Sequence, residues 1–171
     1  IDKLWKIKNR ENLKKFYVLP KTSVGSEYKV KINRLLNVLK KKKVNFQFIT
    51  ASENIAWLLN IRGQDSDFTP IPNSYLFIEN NKKINLFCDL KKIDFSFRKK
   101  LKNIKIIDIK NIDFMLSKIK NKKVLIDSTS CSIHFERIIK KNNKIIELFD
   151  PIHFLKSIKS HIEIKNTIKS H

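Results

Sequence analysis

The chain has 171 residues, 42% of them hydrophobic, which argues against disorder and suffices for one good core. No apolar run approaches the roughly 18 residues of a membrane span. The net charge of +21 suggests a nucleic-acid partner, yet only five of the 37 basic residues are arginine, and scattered lysine with abundant Ile and Asn is what A+T-rich coding sequence produces.

Residues 1–13 are polar and weakly periodic, an extended lead-in expected to dock by Trp5. Phe16 to Leu19 reads as a short strand ended by Pro20, and Ser23 to Glu27 as turn and cap chemistry. Val30, Ile32, Leu35, Leu36 and Leu39 follow helical spacing up to the lysine run at 40–43, which suits a helix C-terminus. Asn45 to Thr50 alternates with period two and predicts a strand. Ser52, an acid and an apolar run then read as an N-cap and a short helix carrying Ile55, Ala56, Trp57, Leu58 and Leu59. Gly63 is expected to end it in the left-handed conformation, followed by an ordered loop bearing Asp65, Asp67, Pro70 and Pro72.

Ser74 to Glu79 and Ile84 to Cys88, joined by Asn80-Asn81, predict a hairpin with asparagine at positive φ. Helices are expected at Phe95 to Leu101, Asp113 to Ile119 and Ser130 to Lys140, the last with Ile133, Phe135, Ile138 and Ile139 inward. Strands are expected at Ile104 to Ile109, Val124 to Asp127 and Lys144 to Phe149. The alternation predicts an α/β layer with a mixed sheet flanked by helices. Residues 14–151 form that domain, and 152–171 read as one helix belonging to whatever follows, since Ile158, Ile162, Ile164 and Ile168 do not complete a core. Ile1 is not an initiator methionine and no signal segment follows, so the chain is expected to be processed or part of something longer.

Catalytic patterns are absent: no GxGxxG, Walker loop, HExxH or GxSxG occurs, and only two glycines are present. His161 and His171 are too far apart for a helical metal pair, and His134 beside Glu136 reads as surface. Cys88 and Cys131 lack CxxC spacing, indicating free thiols and a reducing, cytoplasmic setting. Asp65 and Asp67 are spaced to form a carboxylate pair for acid/base work, but an acidic loop held by Arg62 is the preferred reading.

The run NIAWLLNIRGQDSDFTPIPNSYLFI closely resembles the "IAWLLNIRG-D-x-x-x-P-x-x-x-SY" signature of the second domain of Xaa-Pro aminopeptidases, in the creatinase/prolidase (pita-bread) metallopeptidase superfamily. IDKLW, VGSEYKVKINRLLNVL with Ser26 and Lys31, VLID, Asp150-Pro151-Ile152, Lys156 to Ile164, and Ser170-His171 are similar to further family segments, in order. Ser160, His161 and Lys165 depart from the linker pattern. The resemblance implies a creatinase N-terminal-like α/β domain without catalytic or metal-binding residues of its own. It implies a downstream catalytic domain with two divalent metals (Mn²⁺, in some members Zn²⁺ or Co²⁺) that activate water against the bond before proline in short Xaa-Pro peptides. It also implies a parent homodimer. Within the signature, Trp57 reads as core or as an interdomain contact, and Arg62 as an ion-pair anchor for Asp65 or Asp67. A sharper expectation places Trp57, Arg62, Asp65 and Asp67 at the substrate entrance or a domain interface. A basic nucleic-acid-binding module, or the same domain of a prolidase or creatinase, is the alternative.

Overall fold

The computed structural model describes residues 14–170; the expected lead-in at 1–13 with Trp5, and His171, lie outside the described residues. The elements run β1 (Tyr17–Val18), α1 (Tyr28–Lys41), β2 (Phe46–Ile49), α2 (Ser52–Leu59) and β3 (Ile61–Arg62). They continue with β4 (Ser74–Glu79), β5 (Ile84–Cys88), α3 (Phe95–Lys100), β6 (Lys105–Asp108) and α4 (Ile112–Ser117). The remainder is β7 (Lys123–Ile126), α5 (Ile133–Lys140), β8 (Lys144–Glu147), α6 (Pro151–Ser157) and α7 (His161–Ser170).

Six strands form one sheet in the order β6-β5-β4-β2-β7-β8. β4 is antiparallel to both β2 and β5, whereas the β5–β6, β2–β7 and β7–β8 pairs are parallel. The sheet is therefore mixed, as the alternation of elements requires. β1 and β3 form a separate antiparallel pair, Tyr17 opposite Arg62 and Val18 opposite Ile61.

The period-two pattern sorts the strands between two cores. Ile49, Leu76, Ile78, Leu86 and Leu125 join Leu35 and Leu39 of α1 and Leu58 of α2 on one face. Phe48, Phe77, Phe87, Val124 and Ile126 meet Ile112 and Leu116 of α4 and Ile139 of α5 on the other. Burying a residue such as Leu58 fully contributes about 1.5–3 kcal/mol by transfer alone.

Several local expectations differ. Ala51, not Ser52, is the N-cap of α2, and its side chain offers no cap; the Ser52 hydroxyl donates to the Ser74 carbonyl instead (3.3 Å). Asn60 takes the left-handed position (φ 56°), and Gly63 does not. Asparagine tolerates that conformation because its short polar side chain bonds locally. In the β4–β5 turn the positive φ falls on Lys82. Ile133 is 59% exposed, so the inward face of α5 centres on Ile139.

The segment after Pro151 is two helices, not one. Ile158 caps α6 in extended conformation, and α7 restarts at His161. Asp150 caps α6 by accepting from the Ile152 amide, with Pro151 at the first helical position, where its missing N–H costs nothing. Ile152 is fully buried in the core, while Ile158, Ile162, Ile164 and Ile168 remain exposed.

Candidate functional site

The signature segment folds as α2, β3 and a proline-rich loop. Gly63 sits where a side chain would meet backbone: an added Cβ would lie 2.7 Å from Pro72 Cα and 3.1 Å from Phe16 Cε1. Its role is close approach, with its amide donating to the Pro70 carbonyl (3.3 Å). This closes the loop at its base.

The expected ion pair from Arg62 to Asp65 or Asp67 is not what holds the loop. Lys92 pairs with Asp65 Oδ1, and Asp65 Oδ2 accepts from the Asn73 amide (2.6 Å). Arg62 Nη1 instead donates to the Ile61 carbonyl (2.8 Å) and the Ala56 carbonyl (3.3 Å) at the C-terminal end of α2. A guanidinium there suits the negative end of the helix. Half-burial lowers its pKa, opposed by Tyr17 across the β1–β3 pair. Asp67 is exposed, and Asp65 and Asp67 share no partner, so they form no acid/base dyad. Next to Asp67, Phe68 is fully exposed with φ at 63°.

Trp57 is half-buried and packs against the core, and it also reaches the C-terminal helix. Its indole Nε1 donates to Glu163 Oε1 (3.3 Å), while Lys31 Nζ lies 4.1 Å above the ring. Lys31 is 3% exposed and donates to the Trp57 carbonyl (2.8 Å) and Asn60 Oδ1 (2.7 Å). Asn60 Nδ2 donates in turn to the Ser26 carbonyl (2.9 Å). Burial pulls the Lys31 ammonium down to about 8; Glu163 opposes this, and Arg62 and Arg34 add to it.

Glu163 belongs to a capping box at the start of α7. Its Oε2 accepts from the Ser160 amide and hydroxyl (both 2.8 Å), and the Ser160 hydroxyl accepts from the Glu163 amide (3.3 Å). Gly25 makes room for it, since a Cβ there would lie 1.8 Å from Ser160 Oγ. The Ser160-x-x-Glu163 spacing is legible in sequence as a helix start, although the periodicity of 152–171 masks it.

A second polar cluster ties α6 to the sheet. Asp150 is 2% exposed; its Oδ1 accepts from Gln47 Nε2 (2.8 Å) and its Oδ2 from Asn54 Nδ2 (2.7 Å). The Asp150 amide donates to Asp127 Oδ2 (3.0 Å), and Lys156 Nζ to Asn54 Oδ1 (2.6 Å). Burial would raise the Asp127 carboxyl, but bonds from Thr129 and the Asp150 amide outweigh it and hold the value low. These clusters position helices; they assemble no nucleophile with a base. Among the described residues no three His, Cys, Asp or Glu side chains converge to hold a metal ion.

The arrangement matches known proteins. The Creatinase/Prolidase N-terminal domain profile covers residues 8–163. Protein pid-5 of Caenorhabditis elegans is 36% identical over 94 residues, 55% of this chain and 9% of its own length. Xaa-Pro aminopeptidase app-1 of the same organism is 33% identical over 94 residues, covering 55% of this chain and 15% of the relative. Among solved structures, a cytosolic Caenorhabditis elegans X-prolyl aminopeptidase with a di-nuclear active site superposes with a TM-score of 0.86 at 24% identity, covering 99% of this chain and 29% of that one. The Xaa-Pro dipeptidase of Bacillus anthracis gives a TM-score of 0.62 at 16% identity, over 81% of this chain and 38% of that one. This chain thus spans only a small part of the relatives it matches. With its profile matched over most of its length and its sheet superposing on theirs, the chain belongs to the creatinase/prolidase N-terminal domain family.

Proposed function

We infer that this chain is the non-catalytic domain of an Xaa-Pro aminopeptidase-like hydrolase, and that the reaction it serves, removal of an N-terminal residue preceding proline, takes place on a domain downstream of it. The observation that carries this is the docking of α7. A helix with exposed Ile162, Ile164 and Ile168 is fixed to α1 and α2 by Lys31, Trp57 and Glu163, so the segment leading out of the domain leaves in a set direction. Residues 152–171 then serve as linker and first helix of the catalytic domain.

In the parent protein the paired divalent metals, of the Mn²⁺, Zn²⁺ or Co²⁺ kind, belong to that downstream domain. The parent is a cytoplasmic homodimer whose substrates are short Xaa-Pro peptides. The loop from Arg62 to Phe68 faces the entrance and limits peptide length. Its support is the rigid base at Gly63 and Asp65 beneath the outward Phe68.

The test uses the longer protein carrying both domains. Phe68→Ala and Arg62→Ala are each assayed on Xaa-Pro peptides of increasing length, with thermal unfolding measured alongside. A changed length dependence at unchanged unfolding temperature supports the entrance role. Unchanged kinetics with lower stability leaves Arg62 a purely structural part. The 171-residue chain alone is expected to cleave no Xaa-Pro peptide, and turnover by it would overturn the assignment.

A further inference from the structure

The face of the sheet opposite α1 and α2 is covered by two short helices, α4 and α5. Beside the end of α4 they leave a cavity of about 340 Å³. That lies at the small end of the roughly 300–1,000 Å³ of ligand pockets. Its walls are apolar, formed by Phe46, Phe77, Phe87 and Met115, with Phe46 and Phe77 stacked at 4.8 Å. Asn85 is also part of the lining. It stands directly opposite Phe77 in the β4–β5 ladder and is 2% exposed, and its Oδ1 accepts no hydrogen bond.

A buried amide oxygen without a donor is destabilising, and a leucine at a central strand position would avoid that penalty. Asparagine there makes sense if a donor arrives from outside the chain. The rim supplies the rest of the specification. Lys83, Lys118, Lys120 and Lys122 border the cavity against a single acid, Glu79, which already pairs with Lys83 (3.5 Å) and accepts from Asn81 (2.9 Å). The mouth is therefore net positive.

The geometry points to a binding site for a small aromatic carboxylate that carries a hydrogen-bond donor on its ring. The ring lies against Phe46 and Phe77, a turn of the buried Asn85 amide brings its Oδ1 to the donor, and the carboxylate faces the lysines. This site lies on the face of the sheet away from α1 and α2 and is independent of the peptidase reading.

Hydroxynaphthoate, naphthoate and naphthol, titrated into the isotope-labelled 171-residue chain and followed by amide chemical shifts, separate the three requirements. Hydroxynaphthoate is expected to saturate shifts at 77, 85 and 115 and to bind about ten-fold more tightly than either analogue, one hydrogen bond or one screened charge being worth about that factor. Asn85→Leu abolishes the advantage over naphthoate. A Lys120→Glu, Lys122→Glu double variant, altered only at exposed positions, abolishes the advantage over naphthol, and it reads the charge requirement even if Asn85→Leu fails to fold. Absence of saturable shifts at these amides up to the solubility limit, or equal affinities for all three probes, overturns the site.

Discussion

The indole of Trp57 donates to Glu163 across 106 positions of sequence at 3.3 Å, and this bond spans the two parts of the fold that their distance along the chain would separate. Lys31 over the face of the same ring adds a cation–π contact. Glu163→Gln keeps the shape but removes the charge facing Lys31. It is expected to cost about 1 kcal/mol of stability and to speed amide exchange within α7, with the rest of the chain unchanged. Exchange in α7 equal to wild type would mean the helix is held by other contacts.

The same carboxylate gives α7 a pH dependence. Burial pushes Glu163 up, but its bonds from Ser160 and Trp57, together with Lys31, outweigh this and hold it below the ordinary 4.5. A depressed carboxyl contributes stability that is present above its unfolded value and is lost as pH falls through the folded one. Exchange protection of α7 is therefore expected to fall below about pH 4.5 and to be insensitive to pH there in Glu163→Gln. Identical acid profiles for the two proteins would contradict the assignment.

Gly25 tests the docking sterically. An alanine methyl would lie 1.8 Å from Ser160 Oγ and 2.4 Å from Ser160 Cβ, which demands that the helix start move. Gly25→Ala is expected to destabilise by about 1–3 kcal/mol, as overpacking does. Adding Ser160→Gly removes both clashing atoms and should recover part of the loss. If the double variant is no better than the sum of the singles, the clash is not the cause.

What the sequence makes legible follows from locality. Period-two strands and the apolar stripe of α1 are local patterns, and each lies within a residue or two of its expected place. The helix terminator was displaced from Gly63 to Asn60 because both residues suit a left-handed cap and only the β1–β3 pairing decides between them. Arg62 beside two acids resembles an ion pair on paper, yet Lys92, 27 positions from Asp65, takes the carboxylate. Likewise nothing local announces that Gln47, Asn54 and Asp127 converge on Asp150, at separations of 103, 96 and 23. Spacing reveals faces of one element; it does not reveal which loop ends meet.

That convergence has a measurable cost of removal. Asp150→Asn replaces one accepting oxygen with an NH₂ group, turning an acceptor for Gln47 or Asn54 into a donor facing a donor. With the site 2% exposed, water cannot repair the mismatch. A loss of about 2–3 kcal/mol is expected in urea unfolding. Asp150→Ala, which also removes the N-cap oxygen for Ile152, should lose a further capping share of about 1 kcal/mol. Equal losses for both would assign the whole effect to the network rather than the cap.

Lys31 adds a pH response of the same sign as that of Glu163, but on the alkaline side. Burial lowers it from 10.5 to about 8, so between these values the unfolded chain holds a proton that the folded chain has released. Stability therefore rises with pH across that window, because the folded state sheds the penalty of a desolvated ammonium while the neutral amine keeps donors for the Trp57 carbonyl and Asn60. Lys31→Met fills similar space without a titrating group. The stability of wild type minus variant is expected to grow by about 1–2 kcal/mol from about pH 8 to 10.5, the full shift being discounted for solvent reaching the cluster. The difference cancels the titration of the other lysines, which both proteins share. A difference that stays flat across the window would mean that Trp57 and Glu163 compensate the ammonium fully, leaving the cation–π contact as its main role.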